Sequence, residues 1–299
     1  ELWPNMLGEL RDRQIPSVLI NGRISDRSFA RWQRFHGTVR TLLDCFSLCF
    51  GQSDQDCERL RILGADRVEG VGNIKFAAPP LPVDSEAKKA LQEAIADRPV
   101  WLAASTHPGE EALILACHRE LTGTLPDILT VIAPRHPDRR DELAAYLDEQ
   151  GEPWSQRSIG HLPSPDDGLY LADTLGEMGV LFSTINTVFM GGTLVPIGGH
   201  NPIEPALFSG AIIHGPHMEN FRAIRDQGQR LGAMLAVPDA TALAQQIIDL
   251  HQHPEKAQAL GQAALAMAKT EQDVINRLFD KLSDALPDQV MHADRVAAS

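Results

Sequence analysis

The segment Gly191-Gly192-Thr193-Leu194-Val195-Pro196-Ile197-Gly198-Gly199-His200-Asn201-Pro202-Ile203-Glu204-Pro205-Ala206 carries four glycines, a His-Asn pair and a carboxylate directly after the apolar run Thr187 to Met190. That order reads as a strand end, a glycine-rich loop and a helix start. Backbone N–H groups left free at such a junction bind anions and phosphates. Asn201 stands where a helix N-cap is expected, Pro202 at the first helical position and Glu204 just inside the helix, with Ile203 between them. A carboxylate there complements the helix dipole or accepts hydrogen bonds from a sugar diol. Glycines as dense as Gly191, Gly192, Gly198 and Gly199 cost chain entropy unless the backbone must approach something closely. These residue types in this order point to a nucleotide or nucleotide-sugar site.

Three further segments could contribute. Pro134-Arg135-His136-Pro137 follows the apolar run Ile128 to Ala133. Its prolines hold the segment out of helix and fix where Arg135 points. A guanidinium so placed binds phosphate or carboxylate bidentately, or it pairs with Asp138 or Asp141 on the surface. Thr174-Leu175-Gly176-Glu177 has capping-box spacing, which needs no ligand, although a capped helix start still offers free N–H groups. Ser105-Thr106-His107-Pro108-Gly109-Glu110 reads as a strand-to-helix loop in which Ser105, Thr106 and backbone N–H groups can meet an anion. Glu110 and Glu111 argue against a bare anion site there, because they already occupy the positive end of the helix. His107 is a second-rank candidate for a general base. The histidines show no i, i+4 pair, so no structural metal is expected.

These segments need a frame that brings strand ends together. Short apolar runs at Ser17 to Asn21, Cys45 to Phe50, Val68 to Asn73, Val100 to Ala104, Ile128 to Ala133, Leu169 to Ala172, Thr187 to Met190, Ala211 to Ile213 and Met234 to Val237 read as strands. Helical periodicity lies between most of them: Ser25 to Asp44, the stretch capped by Ser53 and closed by Gly64, Ser85 to Asp97, Glu111 to Leu121 and Arg139 to Gln150. Strands alternating with helices of this length imply an α/β fold with parallel sheets covered on both faces. Ligands then sit beyond the C-terminal ends of the strands. Phe76-Ala77-Ala78-Pro79-Pro80-Leu81-Pro82 is the expected hinge, since three prolines in four residues cannot join a central strand or a helix interior. The expected organisation is therefore residues 1–76 as part of one Rossmann-like domain, 77–82 as hinge, 83–270 as a second, and 271–299 as a polar C-terminal helix (Glu271 to Leu286) with a tail.

The formal charge of −13 disfavours a general nucleic-acid binder. A local cluster of Arg and His can still hold an anionic substrate in one cleft. Cys45, Cys49, Cys57 and Cys117 show no C-x-x-C spacing and read as free thiols. Arg23, Arg27, Arg31, Arg34 and Arg40 form either a solvated face or a surface for anionic lipid.

Several of these motifs recur together and in order: Glu1-Leu2-Trp3-Pro4-Asn5, Asn21-Gly22-Arg23-Ile24-Ser25, Gly72-Asn73-Ile74-Lys75-Phe76, Ser105 to Glu111, Pro134 to Pro137, Asp173 to Glu177, Gly191 to Ala206, and Gly215-Pro216-His217-Met218-Glu219-Asn220-Phe221. This set closely resembles the 3-deoxy-D-manno-octulosonic acid (Kdo) transferases of Gram-negative lipopolysaccharide synthesis, over nearly the whole chain. The resemblance implies a GT-B glycosyltransferase with two Rossmann-like domains facing a cleft, the first of them incomplete. It implies CMP-Kdo as donor, the lipid A precursor (lipid IVA) as acceptor, inversion at the anomeric carbon, and no metal or other cofactor. CMP would meet Pro134 and Arg135, Leu175 to Glu177, the glycine loop at Gly191 and Gly192, and Asn201 to Glu204, with Ser105 and Thr106 against the donor. Lys75 would stabilise the leaving CMP in the transition state. The resemblance also places a membrane anchor and the carboxylate base upstream of Glu1, and the enzyme on the cytoplasmic face of the inner membrane. The chain is then expected to hold CMP without transferring sugar by itself. Two other readings of the same residues are a sugar-nucleotide epimerase of the same architecture, which would use UDP, and a non-catalytic nucleotide-binding fragment.

Overall fold

The computed structural model describes residues 2–77 and 79–285. Glu1, Ala78 of the expected hinge, Leu286 at the end of the expected last helix, and the tail lie outside the described residues. The chain divides into two compact units. One runs to Pro79 and resumes at Thr270; the other is Pro80–Lys269.

The first unit opens with helix α1 (Pro4–Asp12), Pro4 occupying the first turn, where its missing N–H costs nothing. Strand β1 (Val18–Gly22), helices α2 (Asp26–Arg34) and α3 (His36–Leu43), strand β2 (Leu48–Gly51), helix α4 (Asp54–Ile62) and strand β3 (Val68–Gly70) follow. The strands form a parallel sheet in the order β1-β2-β3. Every residue of β2 is buried. Its alternate side chains serve two cores: Cys49 packs with Val39, Leu43, Cys57 and Leu60, while Leu48 and Phe50 pack with Val71, Val274 and Leu278.

Two expectations fail here for local reasons. The single helix read over Ser25 to Asp44 breaks at Phe35, whose φ −115° and ψ 42° are not helical. The break lets α3 turn Val39, Leu42 and Leu43 inward, while the arginine-bearing α2 buries none of its residues. The strand read to Asn73 ends at Gly70, because Gly72 takes φ +98° and residues Ile74–Ala77 wind into a 3-10 turn.

The second unit contains α5 (Ser85–Ile95), β4 (Val100–Thr106), α6 (Glu110–Thr122), β5 (Leu129–Pro134), α7 (Arg140–Gln150), β6 (Trp154–Gln156), β7 (Leu169–Leu171), α8 (Met178–Thr184), β8 (Thr187–Met190), α9 (Ile203–Ala206), β9 (Ala211–His214), α10 (Arg222–Arg230), β10 (Met234–Ala236), α11 (Ala240–Gln252) and all but the last turn of α12 (Pro254–Gln272). The last helix, α13 (Val274–Ala285), belongs to the first unit, where Val274 and Leu278 close the core over β2. The sequence reading has a C-terminal helix here, set apart from both domains.

The second sheet is parallel, in the order β10-β9-β8-β4-β5-β7-β6. The chain builds outward from β4 through β5 on one side and from β8 through β10 on the other. The strand order therefore reverses at β4 and β8, and the loops beyond their C-terminal ends border the crevice that α/β sheets use for ligands. Strand β6 carried no usable sequence signal, being three residues with a polar Ser155 and Gln156.

One buried polar cluster in this sheet makes a prediction. Trp101 Nε1 donates to Thr130 Oγ1 at 2.8 Å, and Thr130 Oγ1 lies 2.8 Å from His118 Nδ1. An indole N–H can only donate, so Thr130 Oγ1 accepts from Trp101, and its second bond ties the His118 ring into the same buried cluster. Burial pushes the His118 pKa down from 6.5 to about 4. The unfolded chain binds this proton first, so the contribution is complete above about pH 6.5 and is lost as pH falls toward 4. A shift of this size corresponds to about 3 kcal/mol. Urea unfolding between pH 7.5 and 4.5 should show this slope in the wild type and a flatter one in His118→Gln.

Candidate functional site

The glycine loop is built on close backbone contact with β4. The Gly191 N–H donates to Ala104 O at 2.7 Å, and a Cβ on Gly191 would lie 2.4 Å from Ser105 O. Ser105 is itself a bulge at φ +59°, where the β4–β5 register slips. Gly192 takes φ +67°, and its carbonyl accepts from Gly199 N–H at 2.9 Å, folding the loop back on itself.

The N–H groups expected to hold a phosphate are already filled. Glu110 Oε2 accepts from Gly192 N–H at 2.6 Å and from His107 N–H at 3.1 Å. Its Oε1 accepts from Thr193 N–H and Leu194 N–H, each at 3.0 Å. Glu110 is fully buried; burial pushes its carboxyl pKa up and the four donors pull it back. Gly191 and Gly192 therefore offer no free N–H to a ligand, which corrects the sequence expectation. The objection raised by Glu110 at the helix start was the correct physical signal, but its partners lie some eighty residues further along the chain.

Thr106 is also spoken for. It is buried, and its hydroxyl donates to Glu111 Oε1 at 3.2 Å, the oxygen that pairs with Arg139 at 2.8 Å. The neighbouring Ser105 hydroxyl has no protein partner among the described residues. Pro134 ends β5 beside Thr106 in the ladder, and Arg135 N–H donates to Thr106 O at 3.0 Å. The Arg135 side chain is exposed and pairs with neither Asp138 nor Asp141.

Around Arg135 stands a group the sequence reading did not assemble. His107 Nε2 and His200 Nε2 are 2.7 Å apart, and the rings stack with centroids 5.0 Å apart. His136 meets His107 edge-on at 5.8 Å. A bond between two Nε2 atoms needs one donor and one acceptor, so at least one ring is neutral. Burial first, then the charges of His107 and Arg135, pushes the His200 pKa down to about 4. His107 is lowered by burial and by His136. The sequence signal for this group is a histidine in each of three strand-end loops, which i, i+4 spacing does not contain.

Glu204 is half-buried on the same side. Burial raises its pKa, while Asn201 Nδ2, donating to Oε1 at 3.2 Å, and the charge of Arg135 oppose the rise. Asn201 Oδ1 accepts from Ile203 N–H at 3.1 Å, so Asn201 caps from one position further out than expected and buried Pro202 is the N-cap. Helix α9 is only four residues long, and buried Ile203 anchors it.

After β7, Asp173 is buried and accepts from Gln156 Nε2 and from Ser158 N–H and Oγ. The expected capping box does not form. Thr174 donates its hydroxyl to the Glu177 carboxylate, which Arg157 also grips through Nε and Nη2. Leu175 is 81 % exposed and Gly176 sits at φ +85° with open space around it. What this turn leaves unengaged is Leu175 and Gly176, since the Glu177 side chain is occupied. Lys75 lies in the first unit, exposed in the 3-10 turn, its N–H bonded to Asn73 Oδ1 at 3.1 Å.

Among the described residues no group of three or more His, Cys, Asp or Glu is placed to hold a metal ion. None of their helices is long and apolar enough to cross a membrane.

Residues 1–78 match the family model described as 3-deoxy-D-manno-octulosonic-acid transferase (kdotransferase). The 3-deoxy-D-manno-octulosonic acid transferase of Haemophilus influenzae is 33% identical over 293 residues, which are 96% of this chain and 68% of that protein. That of Rickettsia bellii is 37% identical over 218 residues, 73% of this chain and 52% of its own length. The chain thus spans about half to just over two thirds of the length of these relatives. Among solved structures, the C-terminal CMP-Kdo binding domain of WaaA from Acinetobacter baumannii matches with a TM-score of 0.58 and 27% identity, covering 65% of this chain and 98% of that domain. The fold class is α/β with parallel sheets, that of the GT-B glycosyltransferases. Fold, strand-end loops and relatives agree that this chain belongs to the 3-deoxy-D-manno-octulosonic acid transferase family.

Proposed function

We propose that the chain serves transfer of Kdo from CMP-Kdo to the lipid A precursor in lipopolysaccharide biosynthesis, with inversion, on the cytoplasmic face of the inner membrane. The second unit holds the donor. The observation that carries this reading is the exposed Arg135 guanidinium after β5, which makes no hydrogen bond or ion pair among the described residues, and the half-buried Glu204 carboxylate after β8, on which its charge acts. A guanidinium fork matches a phosphate and a carboxylate matches a ribose diol, so the pair spans a nucleoside monophosphate. Family membership supplies the sugar.

In the reaction a base withdraws the proton of the acceptor hydroxyl as its oxygen attacks the anomeric carbon. The bond from that carbon to the CMP phosphate breaks, and the leaving phosphate gains charge. Arg135 neutralises it, and the family resemblance gives Lys75 of the first unit a transition-state role. The Leu175–Gly176 backbone and the Ser105 hydroxyl complete the donor contacts. No metal or other cofactor takes part in this scheme.

Calorimetry with CMP, UMP and UDP tests the reading: CMP should bind and the uridine nucleotides should not compete. Preference for UDP would overturn it in favour of epimerase-like chemistry. Glu204 has its own signature. A ribose hydroxyl bonded to a carboxylate is worth about 1.5–3 kcal/mol, so wild type should favour CMP over dCMP by roughly tenfold or more. Glu204→Gln should bring the two close to parity, and an unchanged ratio would remove Glu204 from the ribose.

A further inference from the structure

Backbone N–H groups converging at the end of a parallel strand ordinarily receive a phosphate in α/β folds. At the end of β8 the convergence is present but its focus is a side chain. Gly192, Thr193 and Leu194 together with His107 direct four N–H groups at the Glu110 carboxylate. Four donors use up the acceptor positions of a carboxylate. The residue is fully buried, so this is not a surface contact that an arriving ligand displaces.

A neutral amide, a hydroxyl or a water could cap some of the same N–H groups without burying a charge. Burying an ionised carboxylate is costly even when it is well bonded. What the carboxylate supplies that they do not is a fixed negative charge of phosphate-like bonding pattern. Its position relative to the open cluster is set by Gly192. That residue donates to Glu110, and its Cβ position is 3.3 Å from His107 Cδ2 and from His200 Nε2. The internal anion thus stands one residue behind the histidine pair. The cationic group still open is Arg135, exposed beside the exposed His136, while His107 and His200 are bonded to each other through Nε2.

On the basis of the nucleotide reading above, we infer that Glu110 is a specificity-determining positioning residue: it occupies the backbone cradle that a second phosphate would use, and so restricts the site to nucleotides bearing a single phosphate. A nucleoside diphosphate placed with its first phosphate on Arg135 would bring its second toward a filled cradle of like charge. A nucleoside monophosphate meets only the open cluster. The same contact holds the loop that carries His200 and Asn201, so selection and positioning reside in one side chain.

The test titrates the full chain with cytidine, CMP and CDP. Wild type should bind CMP about tenfold or more tighter than CDP. Glu110→Gln keeps the shape and removes the charge; in it the CMP-to-CDP ratio should fall by about tenfold. Glu110→Asp keeps the charge and should retain the preference, whereas a purely structural role would make both variants weaken CMP and CDP alike. CDP binding as tightly as CMP in the wild type would overturn the assignment, and this comparison needs no variant to fold. An unchanged ratio in a cooperatively folded Glu110→Gln would overturn it too. Failure of both nucleotides to bind the wild type would instead overturn the functional reading, and the assignment with it.

Discussion

Gly191→Ala is expected to lower the stability of the second unit by about 4 kcal/mol, above the usual cost of overpacking, about 1–3 kcal/mol. The added Cβ would meet Ser105 O at 2.4 Å, Ser105 C at 2.6 Å and Ala104 O at 2.8 Å. All three are backbone atoms, so no side chain can swing away. Ala104 O also accepts the Gly191 N–H, and Ala104 pairs with Met190 in the β4–β8 ladder. Relief therefore requires the two central strands to separate where their order reverses. A domain holds only about 5–15 kcal/mol in total, and the loss should appear as a fall of roughly 10 °C in Tm. Gly176→Ala is the control. Its Cβ would meet nothing, and only its φ of +85° is penalised, at about 1 kcal/mol. A Gly191→Ala protein melting within a degree or two of wild type would show that the strands tolerate the intrusion.

The second large effect concerns binding alone. Arg135→Ala should weaken CMP binding by roughly 10- to 150-fold, the value of a charge-assisted bidentate contact of about 1.5–3 kcal/mol. Tm should stay put, because the guanidinium bonds to no other described residue and only the backbone N–H of Arg135 is engaged, by Thr106 O. Arg135→Lys retains the charge but not the planar fork and should recover only part of the affinity. An affinity within twofold of wild type in Arg135→Ala would mean that the phosphate lies elsewhere.

Much of the fold was legible because its signals are local. An apolar run such as Ile128 to Ala133 bounded by prolines reads as a buried strand without any knowledge of its neighbours. Ser53 and Gly64 mark the ends of α4 by chemistry that acts within one turn. The break at Phe35 was not legible, since what imposes it is the need of α3 to face β2. The site divides in the same way. Arg135 and Glu204 announced themselves through adjacent prolines and an N-cap. The Glu110 cradle and the His107–His200 bond join residues about eighty and ninety positions apart. Such pairs are set by strand order, and no window of sequence contains them. The glycines of the loop were read as making room for a ligand, and Gly191 instead makes room for the protein's own strand.

The chain enters the first unit, leaves it at Pro79 and returns at Thr270. That path sets a timetable during synthesis. The second unit is one uninterrupted stretch and can fold as soon as it has emerged. Leu48, Phe50 and Val71 are made early but wait for Val274 and Leu278 to cover them. At about 5–20 residues per second the interval of some two hundred residues lasts roughly 10–40 s. For that time a parallel sheet edge and an apolar face stand open on the nascent chain, so the first unit is where aggregation during translation should begin and where a chaperone should be found.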